Sequence, residues 1–174
     1  MQKSKVHQMT LLALLTALEI VLSRFCSINT WNLKIGFGFL PVAIAAMLFG
    51  PVSAAVAGGL SDFLGAVLFP IGPYFPGFTL TAVLTGVCFG IFLYKKTGFF
   101  KITVSVLLNE ILGSLLLNSL WISILYSMPY KPLFISRLTT QVLPMIAIEI
   151  IVLWLIFGKS MIMENIKKAI EKQR

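Results

Sequence analysis

The chain alternates long apolar runs with short polar or Gly/Pro-rich breaks, and the runs are too continuous to be the apolar stripes of soluble amphipathic helices. The first goes from Gln8 to Ser27. A second, Ile35 to Phe49, stops at Gly50-Pro51, a pair that breaks a helix and turns the chain. The third is Val52 to Leu68. Pro70, Gly72, Pro73, Pro76 and Gly77 then punctuate a stiff aromatic loop carrying Tyr74, Phe75 and Phe78. The fourth run, Thr79 to Tyr94, ends at Lys95-Lys96, and Phe99 and Phe100 mark an interfacial connection before Lys101. A fifth runs from Ile102 to Tyr126 and is broken by Met128 to Pro132. The sixth goes from near Leu133 to Phe157, with Pro144 predicting a kink whose freed carbonyl must be satisfied by a neighbour or water. Beyond Gly158, Ile162, Ile166 and Ile170 recur among Lys167, Lys168, Lys172 and Arg174, which predicts an amphipathic surface helix in a cytoplasmic tail at 159–174.

A helix crosses a hydrocarbon core with about 20 apolar residues. The pattern therefore predicts an all-α fold, a bundle of six transmembrane helices forming one membrane domain over residues 1–174. Lys3 and Lys5 before the first run imitate a signal peptide. There is no small-residue cleavage pattern, however, and Glu19 and Arg24 fall where cleavage would occur, so an uncleaved first helix is expected.

Composition narrows the function. Of the 174 residues, 58% are hydrophobic and 11% charged, and mean hydropathy is +0.96, against about 25% charged in soluble domains. That excludes a water-soluble enzyme and leaves little chain for a catalytic or nucleotide-binding domain outside the membrane. The net charge of +8 does not point to nucleic acid as a partner, because Lys and Arg cluster between apolar runs instead of forming a basic face. It reports topology. With the N-terminus inside, ten of the fourteen basic residues fall on the cytoplasmic side, and Arg24, Lys34, Lys131 and Arg137 fall outside, so both termini are expected in the cytoplasm. No internal repeat is visible, which weakens an inverted-repeat transporter. Cys26 and Cys88 sit in or beside apolar runs and read as buried thiols.

Polar groups inside membrane runs are costly and mark function. They are Glu19, Asp62, Asn109, Glu110, Asn118, Arg137, Gln141 and Glu149. Glu110, Ser114, Asn118 and Trp121 share one helical stripe, and Arg137 and Gln141 pair on the sixth helix. The outer half collects Arg24, Trp31, Lys34, Asp62, Tyr74, Asn118, Trp121, Arg137 and Gln141, beside the loop with Phe75. Such a set suits a flat heterocycle bearing carboxylates: aromatic faces stack, Arg pairs with carboxylate, and a buried Asp accepts N–H groups. Snorkelling accounts equally well for Arg24, Lys34, Lys131 and Arg137, and an interfacial belt for Trp31 and Trp121. Asp62 stands apart because its own helix offers no charged neighbour. Glu19, Glu110 and Glu149 rank lower, as inter-helix hydrogen-bonding groups. Gly158-Lys159-Ser160 lacks the first glycine of a phosphate loop, Leu153 standing in its place. His7 is the only histidine, so neither a His-based metal cluster nor a Ser-His-Asp triad is available, and no enzyme and no cofactor is expected.

Three segments together carry a resemblance: DFLGAVLFPIGPYFPGFTLTA from Asp62 to Ala82, GFGFLP from Gly36 to Pro41, and LTALEIVLSR from Leu15 to Arg24. The chain resembles the substrate-binding S components of energy-coupling-factor vitamin transporters, most of all the folate-specific branch, over nearly its whole length. The resemblance implies a subunit of a bacterial, Gram-positive-type plasma membrane that captures folate from outside with high affinity. It implies delivery to the cytoplasm by an energising module of a transmembrane coupling protein and two cytoplasmic ATPases, with toppling of the S component in the bilayer. The family's Ala-x-x-x-Ala contact with the coupling protein matches Ala13 and Ala17. By charge and depth, a pterin would offer its N–H groups to Asp62 and its glutamate carboxylates to Arg24, Lys34 or Arg137. Hydroxymethylpyrimidine, riboflavin or pantothenate remain open as ligands, as does a non-transport membrane protein.

Overall fold

A computed structural model of the chain describes residues 2–30, 32–94 and 98–157. Among them are six helices: α1 (Gln2–Arg24), α2 (Phe39–Phe49), α3 (Pro51–Leu68), α4 (Pro76–Leu93), α5 (Phe99–Tyr126) and α6 (Tyr130–Phe157). Between α1 and α2 lies a two-stranded antiparallel ribbon, β1 (Ser27–Asn29) and β2 (Lys34–Gly36), with Ser27 opposite Gly36 and Asn29 opposite Lys34. The ribbon corrects the purely helical reading. Alternation of Ser, Ile and Asn, then Lys, Ile and Gly, is too short a period-two signal to stand out beside membrane-length runs. Trp31, Lys95, Lys96 and the tail at 159–174 lie outside the described residues.

Several boundaries shift for physical reasons. Proline is tolerated in the first turn of a helix because its missing N–H has no intrahelical partner there. α4 accordingly starts on Pro76 and not at Thr79, and α6 starts at Tyr130 with Pro132 in its first turn. Phe99 and Phe100 belong to the first turn of α5, where Phe99 packs edge-on against Trp154 of α6 with ring centroids 6.3 Å apart. α2 begins four residues later than its apolar run, because β2 and a turn occupy residues 34–38. Cys26 is exposed, since α1 ends at Arg24 and leaves it in the following turn.

Five helices are long and apolar enough to cross a membrane, and α2 is shorter. Large apolar side chains such as Leu14, Val56, Leu84, Ile91, Leu112 and Leu155 are exposed on outer helix faces, the reverse of a water-soluble surface. Polar side chains turn inward instead. α5 widens into a π-helix over Asn109–Leu117 and α6 over Leu138–Val142, the latter directly before Pro144, which cannot bond back to the preceding turn.

The closest packing joins α3 to α4. Ala54 and Ala57 are buried there, with Ala43, Ala45, Ala46 and Met47 of α2 and Phe89 and Leu93 of α4 in the same core. The backbones approach so closely that a Cβ on Gly86 would lie 2.4 Å from the Ala54 carbonyl oxygen, and one on Gly90 2.1 Å from Pro51 Cα. Small residues spaced four apart permit that contact. Gly86→Val must separate two backbones, an overpacking cost of about 1–3 kcal/mol or more. It is expected to lower the thermal midpoint of the detergent-purified protein, and an unchanged midpoint contradicts the packing.

Candidate functional site

A chamber of about 540 Å³ opens beneath the ribbon and runs between the helices. At the ribbon end, three local hydrogen bonds bind β1 to the end of α1. Ser27 Oγ donates to the Ser23 carbonyl at 2.5 Å, and Asn29 Nδ2 donates to Ser27 Oγ at 2.6 Å and to the Ser23 carbonyl at 3.2 Å. The last carbonyls of a helix lack intrahelical donors, so short polar residues just beyond it are well placed to supply them.

Arg24, the last residue of α1, reaches across to α3. Its Nη2 donates to the Asp62 carbonyl at 3.3 Å and lies 3.8 Å from Asp62 Oδ1. This path crosses Gly65, where a Cβ would stand 2.8 Å from Arg24 Nε. Asp62 Oδ2 accepts from Thr79 Oγ1 at 2.7 Å, and Thr79 shares a 3.2 Å hydrogen bond with the Tyr74 hydroxyl. Asp62 therefore has partners on α1 and α4, whereas its own helix offered none. Lys34 keeps solvent contact through the chamber while protein mass closes around it. Glu19, Asp62 and Arg24 are its charged neighbours.

The ribbon is fastened on its other side by α6. Arg137, only 3% exposed, donates through Nη1 to the Asn32 carbonyl and through Nη2 to the Ser114 carbonyl of α5 at 3.3 Å. A snorkelling reading of Arg137 is thereby corrected: its guanidinium is turned inward, where two backbone oxygens hold it. Gln141, one turn on, accepts from the Lys34 backbone N–H at 3.3 Å and donates to Ser114 Oγ at 3.0 Å. Both residues thus connect β2 and its loop to α5. Among the aromatic groups, Phe75 lines the chamber and Trp121 stands behind it, with ring centroids 5.6 Å apart and indole Nε1 donating to Thr81 Oγ1 at 3.1 Å.

Of the ten residues predicted from sequence, Arg24, Lys34, Asp62, Tyr74, Phe75, Asn118, Arg137 and Gln141 line the chamber, Trp121 backs it, and Trp31 falls outside the described residues. The structure adds Glu19, Asn109, Glu110 and Glu149 to the lining. A signal for them was available. Arg137, Gln141, Met145 and Glu149 are each four residues apart and all line the chamber, as do Glu110, Ser114 and Asn118 on α5. Glu19, Glu110 and Glu149 each leave one buried carboxylate oxygen without a hydrogen-bond partner, and Asn109 Nδ2 and Asn118 Oδ1 are likewise unpartnered. Among the described residues no cluster of His, Cys, Asp and Glu could hold a metal ion.

Removing the Arg137 guanidinium while keeping its bulk strips two backbone carbonyls of charged donors, each such bond contributing about 1.5–3 kcal/mol. Arg137→Met is expected to raise amide hydrogen exchange across residues 27–36 at least tenfold. Unchanged exchange there would contradict its role in holding the ribbon.

Over residues 3–161 the chain matches the family described as "ECF-type riboflavin transporter, S component". It is 41% identical over 167 residues to the folate transporter FolT of Clostridium novyi (strain NT), covering 94% of this chain and 97% of that one. It is 28% identical over 172 residues to the folate transporter FolT of Leuconostoc mesenteroides subsp. mesenteroides, covering 95% and 92%. Its structure resembles a crystal structure of FolT bound with folic acid, with TM-score 0.78 and 34% identity over 84% of this chain and 88% of the other. The chain is a helical, multi-pass membrane protein that belongs to the family of ECF-type transporter S components and resembles the folate-specific branch.

Proposed function

We propose that this chain is the high-affinity folate-binding subunit of an ECF-type ABC transporter, taking the vitamin from outside a Gram-positive-type plasma membrane. The observation that carries the reading is the likeness in fold, at 34% identity, to a FolT that holds folic acid. The chamber supports it. An aromatic wall of Tyr74 and Phe75 suits stacking on flat rings, and Arg24 and Lys34 at the ribbon end suit the carboxylates of a glutamate tail. Asn118, Trp121 and Gln141 complete the site, Trp121 by backing Phe75. Arg137 and Gln141 hold the ribbon over the ligand, and Asp62 orients Arg24. A riboflavin ligand is the second reading, favoured by the description of the matching family.

Six crossings with both termini in the cytoplasm remain our proposal for topology. α2 has eleven residues, about 16 Å at 1.5 Å per residue. It starts beside the ribbon and brings the chain to Gly50, from which α3 returns to Arg24, so the ribbon and α2 together make one crossing. The ribbon end, where Arg24 and Lys34 sit, then faces outward under the distribution of basic residues. No ATP-binding motif is present in the sequence, and energy comes from the coupling protein and two ATPases of the module. Ala13 and Ala17 are exposed on α1, next to exposed Met9 and Leu14, a small-residue face open to a partner helix.

Protein purified in detergent, denatured and extracted is expected to release a folate identified by mass spectrometry, and the emptied protein to bind folate in calorimetry. Riboflavin in the extract, or no folate binding, overturns the reading. Ala13→Trp places bulk on the partner face and is expected to abolish folate uptake by cells carrying the module while leaving folate affinity within twofold. Undiminished uptake would remove α1 from that contact.

A further inference from the structure

A threonine in a helix commonly returns its hydroxyl proton to its own helix. Thr10, Thr16, Thr81 and Thr103 do so here, each donating to the carbonyl four residues back at 2.8–3.1 Å. Thr79, at the start of α4, sends its proton to another helix instead: Oγ1 donates to Asp62 Oδ2 of α3 at 2.7 Å. A hydroxyl has one proton to give, so in the 3.2 Å hydrogen bond between Thr79 and Tyr74 the phenol is the donor. The result is a directed chain from Tyr74 to Thr79 to Asp62, in which each bond polarises the next. Tyr74 is itself set by Phe63 of α3, edge-on with ring centroids 5.9 Å apart. The other oxygen of Asp62 stops short of its cation. Arg24 Nη2 is 3.8 Å from Oδ1, whereas a closed charge-assisted pair lies at about 2.7–2.9 Å. The guanidinium rests instead on the Asp62 carbonyl, at 3.3 Å, and over the bare backbone of Gly65. Arg24 and Asp62 line the chamber, and Thr79 does not.

We propose that Thr79 is a positioning residue that holds the Asp62 carboxylate back from Arg24 and so keeps the guanidinium available to a carboxylate of the ligand. This rests on the folate reading and deepens it. An Arg fork binds a carboxylate most strongly through two parallel N–H bonds, so Asp62 and a glutamate tail compete for the same nitrogens. Asp62 has the advantage of being fixed beside Arg24, and a tethered partner outcompetes a dissolved one unless it is restrained. Thr79 supplies the restraint: a carboxylate whose Oδ2 is held by a hydroxyl on α4 cannot turn both oxygens to α1. Asp62 then contributes chiefly its backbone carbonyl, which orients the guanidinium without neutralising it. With the Thr79 hydroxyl removed, the carboxylate is free to rotate and close on Arg24, and the tail meets a pair that it must first open. The competition concerns charge on the tail alone, so a ligand with an uncharged tail is indifferent to it.

The test is calorimetry on the full-length detergent-purified protein with folate and with its bisamide, in which both glutamate carboxyls are amides. Wild-type protein is expected to bind the bisamide at least tenfold more weakly than folate. Thr79→Val, which keeps the shape, and Thr79→Ala are each expected to weaken folate at least fivefold while changing the bisamide less than twofold. Thr79→Ser keeps the hydroxyl and is expected to hold folate within twofold of wild type. Removing the competing charge must cancel the effect, so in an Asp62→Asn background Thr79→Val is expected to change folate affinity less than twofold. Equal wild-type affinity for the two ligands overturns the proposal without recourse to any variant. So does a loss short of fivefold in Thr79→Val or Thr79→Ala, a loss shared by both ligands, a Thr79→Ser protein as weak as Thr79→Val, or an undiminished loss in the Asp62→Asn background. In each of those cases wild-type protein still binds folate and the functional reading stands. Wild-type protein that takes no folate overturns that reading and this proposal with it.

Discussion

Lipid offers no hydrogen-bond partners, so each polar atom carried into the bundle must be answered within the protein or by what the protein encloses. The internal arrangement follows from this requirement. Arg24 and Asp62 answer one another across α1 and α3, and Thr79 and Tyr74 extend the chain of partners into the loop before α4. Arg137 and Gln141 spend their donors and acceptors on the ribbon and on Ser114. These pairings leave buried polar atoms of Glu19, Asn109, Glu110, Asn118, Ser119 and Glu149 and the Nε atoms of Arg24 and Arg137 without a partner, and all of these residues except Ser119 line the chamber.

The two sides of the bundle meet this requirement with different backbones. α3 and α4 press their backbones together through Ala54, Gly86 and Gly90 and meet through the Asp62–Thr79 hydrogen bond toward the ribbon end. α5 and α6 instead each widen into a π-helical segment and place longer polar residues on the facing stripes. Such widened turns recur at functional sites. Here they lie where Ser114, Arg137 and Gln141 meet the ribbon. The ribbon is therefore held by its own Ser27 and Asn29 side chains on the α1 backbone and by Arg137 and Gln141 of α6.

Much of this was legible in the residues. Runs of apolar residues broken by Gly50-Pro51 and by the proline-rich loop located the helices, because membrane helices carry a strong and repetitive signal. The ribbon was not legible, since three-residue strands inside a polar connection have no period to detect. For the site, depth and charge identified the ribbon-end residues, but ranking groups one at a time favoured Asp62, whose partners come from other helices and are invisible in its own. The stripe from Arg137 through Gln141 and Met145 to Glu149 was present in the spacing. Its meaning emerged only when α5 brought Ser114 opposite Arg137 and Gln141.

The central claim is that the chamber beneath the ribbon is the binding site of the folate we propose as ligand. A structure of the protein with folate bound tests it most directly. The account predicts the folate inside the chamber with its glutamate carboxylates within about 3.2 Å of Arg24 or Lys34 nitrogens. A ligand bound in the opposite direction, or one that leaves those carboxylates unpaired, would contradict it.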